Sequence, residues 1–346
     1  MKKVQFLIVG QGLAGTMLAF ELLERNISFS LVNSARKSKA SLVAAGMINP
    51  LVFKRLTKSW MADQLLPFMA NRYRELEQKQ RASYYFQKKI LKPLYAQEEQ
   101  LWLQKQQITE FAKYIKSVLS GSPVEFMANS SAFGIVDGSG YLNLSVFLSM
   151  AEQFFRERDL LTELDFQPDE VVPDHFETGE VIAEKIVFCE GYHLTQNPLF
   201  QFVKMNPAKG EVLQIYAPDL SEEYILNKRV FVLPVGNHRF KVGSTYEWDD
   251  LSERTTEKGK ESIVERLENL LTAKYWIEEH WAGVRPTVAD RRPVLGMHPA
   301  HKNVFVFNGL GTKGVMLAPW FAREMAGFLE GETKILPPEV DINRFV

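Results

Sequence analysis

Three glycines, Gly10, Gly12 and Gly15, stand directly after the apolar run 4–9 and form Gly-x-Gly-x-x-Gly. In this setting the spacing suits a dinucleotide diphosphate. Gly10 allows a tight turn, Gly12 keeps a side chain out of the phosphate's path, and Gly15 lets the next helix approach the strand. Leu13 and Ala14 open that helix, whose amide-rich N-terminus faces the anion. Met17, Leu18, Leu22 and Leu23 recur at helical spacing, and Asn26 suits a left-handed stop. A second strand is expected over 28–32.

That strand normally ends in an acidic residue that accepts hydrogen bonds from a ribose. Here Asn33 and Ser34 follow it, then Arg36, Lys37 and Lys39. An amide still bonds a ribose hydroxyl but would not repel a 2′-phosphate, so at this point NADP and FAD both remain open. The plainer reading of the three cations is a solvated loop. The next segment, 40–50, favours flavin. It contains Ala40, Ser41, Ala45, Gly46 and Met47, small residues that let backbone lie against a planar ligand, with Ser41 available to a phosphate.

Ala40-Ser41-Leu42-Val43-Ala44-Ala45-Gly46-Met47 resembles a segment of the D-amino-acid oxidase superfamily of FAD enzymes, closest to its glycine oxidase and sarcosine oxidase branches. Two later motifs strengthen the likeness. Gly283-Val284-Arg285-Pro286, followed by Asp290, Pro293 and Gly296, resembles the family's Gly-x-Arg-Pro…Asp-x-x-Pro-x-x-Gly. Asn308-Gly309-Leu310-Gly311-Thr312-Lys313-Gly314-Val315 resembles its glycine-rich entry into the last helix. The likeness implies an α/β fold with a Rossmann-type FAD-binding lobe (1–82, 142–205 and 286–346). A substrate lobe built on an antiparallel sheet (83–141 and 206–285) is interleaved with it. The same likeness assigns Val171 and Gly191 to the cofactor. Glu190 and Leu310 depart from the family pattern, Leu310 replacing a histidine of several relatives.

The activity this implies is oxidation of the C–N bond of an amino acid or small amine. Hydride passes to flavin N5, the imine hydrolyses, and oxygen reoxidises the flavin. Arg285 matches the family's arginine that clamps a substrate carboxylate, its alternative being a structural pairing with Asp290. Lys313, at the start of the last helix, would stabilise charge on the reduced ring, its alternative being a solvated lysine at a glycine turn. Tyr246 ends a strand of the substrate lobe and can reach an amine, though a plain strand-to-loop transition also explains it. Rival activities are an NADP-dependent dehydrogenase and a flavin enzyme acting on a modified tRNA base.

The elements that would position these groups follow from pattern. Helices are expected over 60–80, bent near Pro67, and over 97–117, 144–159 and 262–271. Strands are expected over 186–189, 212–216, 229–233, 239–243 and 303–307, with a hairpin connection at 234–238. The 346 residues suffice for two lobes, and a net charge of −1 gives no electrostatic case for nucleic acid. The single cysteine, Cys189, excludes an internal disulfide and reads as buried core in an apolar run. With no membrane-length apolar stretch, a cytoplasmic protein is expected. The six histidines show no metal spacing. No pattern fixes an oligomeric state.

Overall fold

The computed structural model describes residues 1–168, 175–179 and 181–346, so Val171 lies outside the described residues. Its first sheet runs in the order Leu161–Glu163, Phe29–Asn33, Lys2–Val9, Val181–Phe188, Val304–Asn308 and Val294–Met297, with Phe176–Thr178 paired to Val181–Phe188. The first five strands are parallel, and Val294–Met297 closes the edge antiparallel. Strands buried on both faces need apolar residues at successive positions. Phe6 and Ile8 accordingly enter one core cluster, while Val4, Leu7 and Val9 enter another. The helix Leu13–Glu24 and the last helix, Gly314–Glu330, pack side by side over this sheet. Asn26 adopts φ 56° and ends the first of them as its position predicts.

Chain order reverses beside the strand Lys2–Val9, whose neighbours are Phe29–Asn33 on one side and Val181–Phe188 on the other. Crevices at the carboxyl ends of strands at such a switch point bind ligands. Gly10 and Cys189 leave the two strands here in near contact. A Cβ on Gly10 would lie 2.5 Å from the Cys189 carbonyl oxygen.

The second sheet has eight strands, in the order Trp276–Arg285, Ala208–Tyr216, Arg239–Gly243, Val230–Gly236, Ile225–Lys228, Ile90–Leu94, Ala132–Val136 and Ile115–Leu119. All neighbours are antiparallel except Ile225–Lys228 with Ile90–Leu94. The hairpin turn is Asn237-His238, with φ 54° and 56°, the two left-handed residues that a tight right-twisting hairpin requires.

The helix expected over 97–117 is shorter. Ala96–Gln106 and Thr109–Ala112 are helical, and Ile115–Leu119 is an edge strand. Trp102 explains the arrangement. Its ring fills the space beside Gly134, where a Cβ would meet it at 2.4 Å, so tertiary packing overrides the weak local periodicity. The helix expected over 262–271 is Glu257–Glu268, started by Thr256, whose hydroxyl accepts the Gly259 N–H at 3.0 Å. Ala62–Gln80 and Leu144–Arg156 form within the ranges expected for them.

Candidate active site

The switch point opens into a cavity of about 480 Å³ that reaches the second sheet. At its inner end is the glycine turn. A Cβ on Gly15 would lie 1.9 Å from the Gly10 oxygen, so Gly15 serves close packing of helix on turn and stands back from the wall. Gly12 does line the cavity, and a Cβ there would meet only Ser41 Oγ, at 3.9 Å. The space beside it is therefore open. No side chain caps the helix that Gly12 begins, which leaves its first amides directed at the cavity. Leu13 N–H reaches Ser41 Oγ at 3.4 Å, and Gln11 N–H reaches Asn33 Oδ1 at 3.4 Å.

The solvated-loop reading holds for Arg36, whose side chain is 87% exposed, but not for its neighbours. Lys37 Nζ pairs with Glu190 Oε1 at 3.1 Å, and Asn197 donates to the other Glu190 oxygen at 2.8 Å. Glu190 is thus a buried, tied carboxylate. Lys39 Nζ donates to Gln11 Oε1 at 2.5 Å, and burial lowers its pKa. The distance of these lysines from the glycines along the chain hid them. Only the fold of 34–40 returns them to the turn.

Of the residues singled out from sequence, Gly10, Gly12, Leu13, Ala14, Asn33, Ser34, Ala40, Ser41, Ala45, Gly46 and Met47 line the cavity. So do Gly191, Gly311, Thr312, Lys313, Gly314, Val315, Arg285 and Tyr246, drawn from the other half of the chain. Gly309 does not. A Cβ there would meet Val288 at 2.7 Å, so its role lies in packing the approach to the last helix. Leu310 lines the cavity and contributes only apolar wall.

Lys313 sits at the start of the last helix, beneath the cavity wall. Its ammonium donates to the Asn49 carbonyl and to Ser59 Oγ, both at 2.8 Å, and to no carboxylate among the described residues. Burial pushes its pKa down to about 8. It is not a solvated lysine.

Arg285 ends the strand Trp276–Arg285 and extends across Gly210 on the neighbouring strand. A Cβ on Gly210 would lie 2.1 Å from Nη2, so the missing side chain is what admits the guanidinium. The pairing of Arg285 with Asp290 does not form, because Asp290 binds Arg344 at 2.7 Å. Instead Nη1 donates to the Ala208 and Lys209 carbonyls at 3.4 and 3.1 Å. Nη2 donates to Ser244 Oγ at 2.6 Å and the Thr245 carbonyl at 3.2 Å. All four Nη hydrogens are engaged by neutral acceptors, and burial lowers the pKa. The guanidinium also lies 4.2 Å from the centre of the Tyr246 ring, which is half exposed at the cavity mouth. A carboxylate arriving here finds a positive charge with no anion to displace.

Sequence reasoning missed Gln11, Asn49, Asn227, Arg229 and Phe231, which also line the cavity. It also missed Gly210. A glycine inside a strand signals close approach by another group, and that cue was available.

A phosphate-ready glycine turn, a groove of small residues and two cations that pair with no carboxylate among the described residues fit a flavin-dinucleotide oxidoreductase. Comparison with known proteins agrees. The family described as FAD dependent oxidoreductase matches residues 5–327, and the chain belongs to that family. FAD is therefore the cofactor, and the NADP reading prompted by Asn33 and Arg36 is set aside. Glycine oxidase of Bacillus subtilis is 28% identical over 149 residues, 41% of this chain and 40% of that protein. The match thus spans less than half of that relative. The bifunctional protein ThiO/ThiG of Trichormus variabilis is 24% identical over 93% of this chain and 52% of its own length. Among solved structures, glycine oxidase from Bacillus cereus superposes with TM-score 0.75 at 19% identity, covering 95% of this chain and 96% of that one. Iminodiacetate oxidase from Chelativorans gives 0.77 at 17% identity, over 97% and 98%. Among the described residues no helix is long and apolar enough to cross a membrane, and no group of three potential ligands could hold a metal.

Proposed function

We propose that the protein oxidises the C–N bond of an amino acid or small amine. When bound, FAD would supply a two-electron acceptor for the α-hydrogen and its bonding pair, with dioxygen and two protons as the final acceptor, giving hydrogen peroxide. The substrate nitrogen loses a proton as the C=N bond forms. Water then adds to the imine carbon and releases ammonia or an amine, leaving a carbonyl compound, an oxo acid where the substrate is an amino acid. One observation carries the reading: Arg285 is a charged group without a carboxylate partner among the described residues, in the same cavity as the dinucleotide-type glycine turn.

The residues divide the work by position. Gly12 and the uncapped amides beyond it receive the diphosphate, and Lys39 adds charge beside them. Lys313 brings a cation to the wall formed by the last helix, where it would favour negative charge gained on reduction. Arg285 holds the substrate carboxylate and so fixes the α-carbon, while Tyr246 covers the guanidinium from the mouth. FAD would rest in residues 1–82, 142–205 and 286–346, and the substrate against the sheet from 83–141 and 206–285.

The purified protein should be yellow, or become so with added FAD, and should bleach anaerobically with a small amino acid. Arg285→Lys should lower kcat/KM about a hundredfold, since the shorter point charge loses the planar fork and misplaces the α-carbon. Unchanged kcat/KM in that variant would remove Arg285 from the substrate site.

A further inference from the structure

Arg285 bridges two segments at a point where the regular pairing between them has ended. Its acceptors are the Ala208 and Lys209 carbonyls on one side, and Ser244 Oγ and the Thr245 carbonyl on the other. The strands Ala208–Tyr216 and Arg239–Gly243 pair only as far as Val212 with Gly243. Residues 244–256 then run on as an arm that carries Tyr246 to the cavity mouth and ends at the helix Glu257–Glu268. A guanidinium held by two segments keeps its direction only while their separation is fixed.

The two residues flanking Gly210 fix it. Successive side chains of a strand point to opposite faces, so with Gly210 toward Arg285, Lys209 and Glu211 turn to the far side. Both are buried, and neither lines the cavity. Glu211 holds the two ends of the arm. Its N–H donates to Thr245 Oγ1 at 2.8 Å, and its carboxylate accepts the Thr256 N–H at 3.0 Å and hydroxyl at 2.7 Å. Lys209 holds the middle. Its backbone exchanges both hydrogen bonds with Glu247, at 2.8 and 3.0 Å, and its ammonium donates to Asp250 Oδ2 at 2.5 Å and Ser252 Oγ at 3.4 Å. The Lys209 side chain is 1% exposed and that of Asp250 44%, so the arm reaches inward to a cation already withdrawn from water. A carboxylate that answers a buried ammonium is held more firmly than one in an exposed pair. That contact, with the Ser252 hydroxyl and N–H, keeps the Asp250 carboxyl well below its ordinary range. Lys209 therefore meets the guanidinium with its carbonyl and the arm with its side chain.

We infer that Asp250, outside the cavity, is a positioning residue for the substrate carboxylate: through Lys209 it sets the arm, and with it the Thr245 carbonyl and Tyr246 ring that aim Arg285. The inference deepens the amine-oxidation reading and rests on it, since that reading assigns Arg285 to the carboxylate. Asp250 acts through Arg285 alone, so its effect must vanish when the guanidinium fork is removed.

The test uses FAD-loaded protein titrated with acetate, following perturbation of the visible flavin band. Asp250→Ala should weaken acetate about tenfold, the size of one misaligned charge-assisted contact, and leave FAD affinity within about twofold. That variant still leaves the Lys209 ammonium a carboxylate, Glu211 Oε1 at 3.8 Å. Asp250→Asn, a second variant that keeps an oxygen for the ammonium but not the charge, should show an intermediate loss. In an Arg285→Lys background Asp250→Ala should cost no further affinity, because the fork it aims is gone. A general loosening of the lobe would instead add to the Arg285→Lys loss. Parent-like acetate affinity in both Asp250 variants, or additive losses in the double variant, would overturn the assignment while leaving the role of Arg285 intact. A parent that takes up no FAD, or whose response to acetate is absent or indifferent to Arg285→Lys, would sink the underlying reading and this inference with it.

Discussion

Lys313 is the most exacting test of the cavity's electrostatics, because its charge is held at the cofactor wall without a compensating anion. Its pKa falls from 10.5 to about 8, with burial as the cause. A lysine whose pKa is depressed by folding destabilises the fold wherever the ammonium is charged, since the unfolded chain binds that proton more tightly. The penalty is full below pH 8 and amounts to about 3.4 kcal/mol, from 2.5 pH units at 1.36 kcal/mol each. Between pH 8 and 10 the folded protein sheds the proton while the unfolded chain retains it, so stability rises by about 2 kcal/mol. Lys313→Met removes the titrating group. It also removes the ammonium's hydrogen bonds to the Asn49 carbonyl, which keeps the Ser59 hydroxyl as a donor, and to Ser59 Oγ, a loss that does not vary with pH. Urea unfolding of FAD-free parent and variant at pH 7, 8, 9 and 10 therefore isolates the charge. The stability difference, parent minus variant, should climb by about 2 kcal/mol from pH 8 to 10. Parallel curves would refute the claim that this ammonium is buried without an anion. Bound FAD should flatten the climb in the parent if the ring lies against Lys313, because a polar acceptor restores the lysine's pKa toward its ordinary value.

The glycine turn separates into two kinds of position. Gly15→Ala should destabilise the fold by more than about 2 kcal/mol, because its Cβ would lie 1.9 Å from the Gly10 oxygen and backbone must move; urea unfolding reads this directly. Gly12→Ala should leave FAD-free stability within about 0.5 kcal/mol, the new Cβ meeting only Ser41 Oγ at 3.9 Å, yet weaken FAD binding at least tenfold by fluorescence titration. Gly210→Ala should raise KM for a carboxylate substrate and leave FAD affinity intact, since its Cβ would occupy the place of Arg285 Nη2. Weakened FAD binding in that variant would show that Arg285 faces the cofactor and not the substrate.

Motifs whose function is local were legible in sequence. The glycine turn, the small-residue segment at 40–50 and the entry to the last helix all carry their signal within about ten residues, and the structure brings them to one cavity. Strands with strong apolar runs were legible for the same reason. Illegible were arrangements decided by packing across the chain. The strand Ile115–Leu119 was hidden behind helix-like polar residues, and its neighbourhood depends on Trp102 settling over Gly134. Lys37 and Lys39 read as solvated because nothing nearby in sequence reveals Glu190 or Gln11 as their partners.

The cavity owes as much to side chains that are missing as to those that are present. Gly10 lets two strands of the first sheet part at contact distance, Gly12 leaves room beside the helix amides, and Gly210 opens a path for a guanidinium across a strand. Each lies beside a group that acts through charge: a helix N-terminus, Lys39 or Arg285. This pairing has a physical reason. A cation withdrawn from water is costly unless an anion comes to it, and the anion reaches it only if no Cβ stands in the way. Arg285 and Lys313 are both partly desolvated and satisfied by neutral oxygens alone, so in each case the protein has met the cost of burial without the return of an ion pair. An anionic ligand supplies that return. These two cations thus support the proposed reading, in which a diphosphate would lie at one end of the cavity, a flavin ring in the middle and a substrate carboxylate at the other.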